Sequence, residues 1–148
     1  MPAPQVDFYV LAGSAAADRL RFACRLVEKA WLKRHRVRVQ LDSGGDLDAF
    51  DQLLWTYSDR SFIPHRRAGA PDDAPGSAPP PVVIADTPDA DAADGDVLVN
   101  LASAPPSTIG AWARIAEIVD ADPERKRSAR ERYKQYRERG CTLESHNL

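Results

Sequence analysis

The chain has 148 residues, 43% of them hydrophobic and 28% charged, with a net charge of −2. That length suits one domain, 1–148, with a real core, and no uncharged apolar run approaches the roughly 20 residues that a bilayer span needs. Met1-Pro2-Ala3-Pro4-Gln5 has neither the basic nor the apolar segment of a secretory leader, and two cysteines are too few for a disulfide scaffold, so a cytoplasmic protein with reduced thiols is expected.

In chain order, Val6–Leu11 (VDFYVL) alternates and is rich in β-branched and aromatic residues, as a strand does. Ala15–Lys33 places Leu20, Ala23, Cys24, Val27, Ala30 and Trp31 on one stripe of a helix, with Arg19, Arg21, Arg25, Glu28 and Lys29 elsewhere, and with Ser14 or Asp18 as candidate N-cap. Arg36–Leu41 reads as a second strand. Asp46 reads as the N-cap of a short helix, Leu47–Tyr57, that turns Phe50, Leu53, Leu54 and Tyr57 to one side. Ser61–Pro64 is expected to be extended, since a residue before proline avoids the helical region. Ala68–Pro81 holds five prolines and no large apolar group, and reads as a loop. Val82–Ala85 and Val97–Leu101 are strands of the kind buried on both faces. A helix over Ile109–Asp120 is expected, capped by Ser107 or Thr108, with Ile109, Trp112, Ile115, Ala116 and Val119 on its apolar side. A final basic helix over Glu124–Arg139 stops at Gly140. Strands alternating with helices predict an α/β, Rossmann-like three-layer sandwich, with a mostly parallel sheet and helices on both faces.

The usual chemical signatures of such a fold are missing from the sequence. The turn after the first strand, Leu11-Ala12-Gly13-Ser14-Ala15, has one glycine where a dinucleotide fingerprint needs three, and no GxxxxGK[ST] phosphate loop occurs. Cys24, His35, His65, Cys141 and His146 stand at no metal-ligand spacing; Cys24 falls on the apolar stripe and Cys141 reads as a partly exposed thiol. Asp86, Asp89, Asp91, Asp94 and Asp96 fail the calcium-loop pattern and read as an acidic solvated connection. No catalytic residue, metal or cofactor is expected.

Two constellations look like binding surfaces. Residues 124–139 hold eight bases against three acids, a local charge of +5. Lys126, Arg130, Lys134 and Arg137 recur at helical spacing with Tyr133 beside them. A break at Asp122-Pro123 suggests a notch between two helices, walled by Ile118 or Val119, where cations would hold a carboxylate-ended acidic peptide. A plain solvated helix face fits the same residues. The second constellation, Leu53-Leu54-Trp55 with Ser61-Phe62-Ile63-Pro64-His65, is aromatic. It suits either a protein-partner anchor or a second layer of core.

Asp7–Leu11, Ala23–Trp31, Leu53-Leu54-Trp55, Ser61–Arg66, Asp96–Leu101 and Ala129–Arg137, in this order and across nearly the whole chain, resemble the chi subunit family of the bacterial DNA polymerase III holoenzyme. The specific pieces are Ser61-Phe62-Ile63-Pro64-His65 and Arg130-Glu131-Arg132-Tyr133-Lys134-Gln135-Tyr136-Arg137. The resemblance implies a Rossmann-like fold without nucleotide binding and without enzymatic activity. It implies two partners: the acidic, Phe-ended C-terminal tail of single-stranded-DNA-binding protein, and the psi subunit, which tethers chi to the clamp loader. Carried over, the tail site falls on Lys126, Arg130 and Lys134 with Tyr133 between them, and the psi surface on Trp55, Phe62, Pro64 and His65. Nucleic acid would be met mainly indirectly. Ala68–Pro81 and Ala85–Gly95 have no counterpart in the resemblance. The rival readings are direct nucleic-acid binding by the same basic helix, which the net charge opposes, and an enzyme with an unrecognised site.

Overall fold

In the computed structural model, the described residues are 4–42, 44–56, 63–67, 82–86, 96–106 and 112–148. Phe62, the proline-rich stretch 68–81 and Asp89, Asp91 and Asp94 lie outside them. The strands are β1 (Gln5–Val10), β2 (Val37–Gln40), β3 (His65–Arg67), β4 (Val82–Ala85), β5 (Val97–Asn100), β6 (Arg114–Val119) and β7 (Thr142–Asn147). The helices are α1 (Ala16–Leu32), α2 (Gly44–Thr56) and α3 (Pro123–Glu138). The strands form one sheet in the order β3-β4-β2-β5-β6-β1-β7, and every pairing is parallel.

Parallel neighbours require crossovers, and the crossovers place the helices. α1 leads from β1 to β2 and packs on β5, β6 and β2, while α2 covers β4 beside it. α3 leads from β6 to β7 on the other face. Alternation sorts the side chains between two cores. Ala23, Cys24, Val27 and Ala30 of α1 meet Val39, Val99, Ala116 and Ile118 of the sheet. Ala129 and Tyr136 of α3 meet Val6, Phe8, Leu98, Ile115 and Val119. The expected three-layer α/β sandwich is therefore present. Burial pushes the Cys24 thiol up to about 12, as befits a small core side chain.

Some boundaries and one element differ from expectation. The N-cap of α1 is Ala15, with no side-chain cap, and Asp18 lies in the first turn. α2 begins at Gly44, which puts Asp46 inside its first turn rather than at the cap; Tyr57 is outside the described residues. β3 starts at His65, just beyond the expected extended stretch. The larger correction concerns the helix expected over Ile109–Asp120. Arg114–Val119 is instead a central strand between β5 and β1. A strand covered on both faces loses the period-2 signature, and its apolar residues then match a helical stripe equally well. Ile115, Glu117 and Val119 share the α3 face, while Ala116 and Ile118 take the α1 face. β7 carries too few apolar residues to announce a strand; it is a polar edge paired only to β1.

Candidate functional site

α3 is held in position by buried polar bonds in addition to the apolar contacts of Ala129 and Tyr136. Asp122 caps it, accepting a bond from the Arg125 backbone N–H at 3.0 Å, and Pro123 sits in its first turn, where no backbone N–H is needed. Beneath it, fully buried Glu117 accepts from Arg132 Nε at 3.0 Å, Tyr136 Oη at 2.6 Å and Asn100 Nδ2 at 2.8 Å. Burial pushes the Glu117 carboxyl up; Arg132 and the two neutral donors oppose that without reversing it. At the helix start, Arg125 makes two 2.8 Å bonds to the buried Asp120 carboxylate. Burial raises Asp120, but the Arg125 guanidinium and the Asp122 N–H outweigh it and hold the carboxyl below its ordinary value. At the other end Gly140, at φ +79°, follows the cap residue Arg139. Its N–H bonds the Arg137 carbonyl and the Cys141 N–H bonds the Tyr136 carbonyl, closing the helix as a left-handed cap does.

With Ala129, Arg132 and Tyr136 turned inward, Lys126, Arg130, Lys134 and Arg137 are all exposed. None of these four side chains has a hydrogen bond or ion pair among the described residues. Glu131 and Glu138 stand three residues before and four residues after Lys134, within reach of it on the helix surface. Lys126, Arg130 and Arg137, by contrast, have no Glu or Asp at those spacings except Asp122, which caps the helix. Tyr133 borders this cationic row and is partly buried, its ring 5.4 Å from Phe8, and Cys141 and Leu143 pack against the same cluster. The structure does not provide the expected notch between two helices. Val119 is a strand residue beneath α3, only 4% exposed, and Ile118 faces the opposite core. The apolar border of the row is Tyr133 with Cys141 and Leu143. Arg132, read only as part of a basic motif, proves with Tyr136 to be its internal support.

The aromatic constellation is brought together at the far edge of the sheet. Trp55, at the end of α2, is 45% exposed, and its ring centroid lies 4.4 Å from that of His65 on β3. The His65 side chain is buried. Nδ1 lies 2.8 Å from the Ile63 carbonyl and Nε2 lies 2.7 Å from Asp51 Oδ1. Arg67 completes the frame with bonds to Asp51 and Asp48. Pro64 is half-buried beside them.

At the carboxyl ends of the strands, where this fold class places ligands, a crevice of about 390 Å³ lies between α1, α2 and α3. The protein's own side chains bridge it. Arg19 Nη2 donates to the Leu101 carbonyl at 2.6 Å, and Asp42 accepts from the Ser103 N–H at 2.9 Å. On the outer strands, Asp7, Glu144 and His146 bring one ligand atom each within 4.8 Å. Asp7 Oδ2, however, already holds Arg114 Nε at 2.9 Å, and Oδ1 lies 3.2 Å from His146. A guanidinium beside a candidate cation site opposes a metal, and the group reads as an ion-pair network.

These features define a class: a doubly wound α/β protein whose distinctive charge lies along a helix face rather than in a strand-end pocket. Comparison with known proteins makes the class particular. The family model described as DNA polymerase III chi subunit, HolC, matches residues 3–144. The chi subunit of Pseudomonas aeruginosa is 33% identical over 147 residues, covering 97% of this chain and 96% of the relative. Those of Haemophilus influenzae and Escherichia coli K12 are 27% and 29% identical, covering 99% and 92% of both partners. The chain belongs to the DNA polymerase III chi subunit family, an accessory family of the replicative polymerase. Its setting is DNA replication and its partners include proteins of that complex. Among the described residues no helix is long and apolar enough to cross a membrane.

Proposed function

We propose that this protein is a non-catalytic, single-domain cytoplasmic adaptor. It links the clamp loader, through psi or its equivalent, to single-stranded DNA covered by its binding protein. It does so by gripping the acidic C-terminal tail of that protein. The observation that carries the reading is the exposed row Lys126, Arg130, Lys134 and Arg137, whose side chains make no hydrogen bond or ion pair among the described residues. Tail carboxylates meet the row, and the terminal aromatic ring packs at the Tyr133 border. Each charge-assisted contact contributes about 1–3 kcal/mol where partly desolvated and less where exposed. The half-exposed Trp55 with His65 and Pro64 supports a second, aromatic docking surface for psi. Val119 supports the tail site from below by packing under α3 rather than by touching the peptide.

Fluorescence polarisation of a labelled tail peptide tests this, with a version lacking the terminal Phe as control. Micromolar, salt-sensitive binding that needs the Phe and weakens in Arg130→Ala is expected. Unchanged affinity in Arg130→Ala sinks the site, and an oligonucleotide displacing the peptide from α3 would favour direct nucleic-acid binding there.

A further inference from the structure

α1 carries a second cationic row. Arg21, Arg25, Lys29 and Lys33 are spaced four residues apart, so each rises about 6 Å above the last. The buried stripe Ala23, Cys24, Val27 and Ala30 fixes the opposite side of the helix against the sheet. All four cations are consequently exposed, and none has a side-chain hydrogen bond or ion pair among the described residues. Arg34 and Arg36, also exposed, extend the charge past the helix end. The acids near this face are at its margin or already engaged, among them Asp7 in the adjoining groove, which holds Arg114 at 2.9 Å. Asp18 stands at the start of the helix, and Asp96 is engaged by the Arg36 backbone N–H at 2.9 Å. Glu28 is half-buried on the flank and has a partner of its own.

Beside the row lies a groove of about 540 Å³. α1 covers β5 and β6 here and touches β1 where the Phe22 ring meets Tyr9 at 5.3 Å. Lys29 and Lys33 stand on the rim of the groove, the Asp7–Arg114 ion pair lies opposite, and Leu26, Val97 and Val99 supply apolar lining. Cations in a line with an apolar recess alongside match a flexible chain of phosphates carrying flat apolar rings. A row of this kind tracks the backbone, and the recess has room for a base. A duplex, whose bases are stacked inside, cannot use the recess. An acidic polypeptide would use the cations, and the recess only where it carries an aromatic side chain, whereas every nucleotide of a single strand carries a ring.

We propose that the outward row Arg21, Arg25, Lys29 and Lys33 of α1, with the groove beside it, is a docking surface for single-stranded nucleic acid. It lies on the opposite face of the sheet from the α3 row, so a strand and an acidic peptide can be held at once. This goes beyond the adaptor reading and does not depend on it.

The test uses the full chain and a labelled oligothymidine of about twenty nucleotides, titrated across a salt series. Four phosphate contacts on a single strand give a slope of log K against log salt of about −3. Arg25→Gln with Lys29→Gln should halve that slope and weaken binding about tenfold at low salt. Arg130→Ala should leave it unchanged. The glutamine variants change exposed positions only; unaltered circular dichroism, and unaltered tail-peptide binding if the parent shows any, verify that they fold. Absence of oligothymidine binding at low salt overturns the proposal, as does binding that survives the α1 substitutions. Equal affinity for polyglutamate would overturn it in favour of an acidic protein partner, and equal affinity for a duplex would remove the role of the groove. None of these outcomes bears on tail binding at α3, so the two readings fail separately.

Discussion

α1 and α3 are both basic on their outer faces and sit on opposite sides of one sheet, yet different chemistry holds them there. α1 rests on Ala23, Cys24, Val27 and Ala30, all apolar or nearly so. α3 rests on Arg132 and Tyr136 bonded to Glu117, and on Arg125 bonded to Asp120. Apolar burial is non-directional and tolerates small rotations, whereas directional bonds to the buried carboxylates Glu117 and Asp120 fix the angle of a helix about its own axis. A helix that must present four cations in a set direction gains from the second arrangement. The two ends differ likewise. α3 closes on Gly140, whereas α1 closes through the same pair of hydrogen bonds with Arg34 in the left-handed region at φ +66°.

The comparison can be broken at three levels. The largest effect belongs to the buried network: Glu117→Ala leaves Arg132 buried without its counter-charge and should cost about 3–5 kcal/mol in urea unfolding. Val27→Ala, the corresponding loss under α1, should cost about 2 kcal/mol; equal costs would mean the two helices are held alike. Next comes Asp120. Its folded carboxyl lies below its ordinary value of 3.8, so its contribution is complete above that pH and is lost as pH falls through the lower folded value. Asp120→Asn should therefore destabilise by roughly 2 kcal/mol at neutral pH, and the gap from the parent should close below about pH 4. A gap constant across pH would place the effect in packing rather than charge. The smallest effects are a mirrored pair at the helix ends. Gly140→Ala should lose about 1 kcal/mol, and Arg34→Gly should gain a similar amount, both read as shifts in thermal midpoint.

The same contrast explains what was legible in the sequence. α1 announces itself because its buried residues are apolar and recur at helical spacing. The outward cations of α3 were legible for the same periodic reason, as was its closing Gly140. The buried charges on its inward side were not, because Arg132 and Glu117 look like surface residues until the sheet brings them together. Glu117 also hid β6: a polar residue amid Ile115, Ala116, Ile118 and Val119 suggests the wet side of a helix, whereas it is the hub of a buried network. A carboxylate flanked by apolar residues, with an Arg-x-x-x-Tyr pair downstream, is the signal that was there to find. β7 left no signal, since an exposed edge strand needs no apolar alternation. Trp55 and His65 were correctly grouped by type, but their contact depends on α2 and β3 meeting at the sheet edge.

The position of β1 carries a consequence for how the molecule is made. The first strand of the chain is flanked by β6 and β7, the last two. During synthesis from the N-terminus, β1 emerges long before β6 and β7, which receive it, and α1 meets β2 early but β5 and β6 only later. Non-local parallel pairing of this kind is slow and leaves apolar edges open meanwhile. The β2–β4 pair can assemble early, but the half of the sheet that supports α3 can close only when the final residues arrive. A ribosome stalled before β7 should thus hold a chain without an organised α3 surface, and chaperone demand should fall in the last stretch of translation.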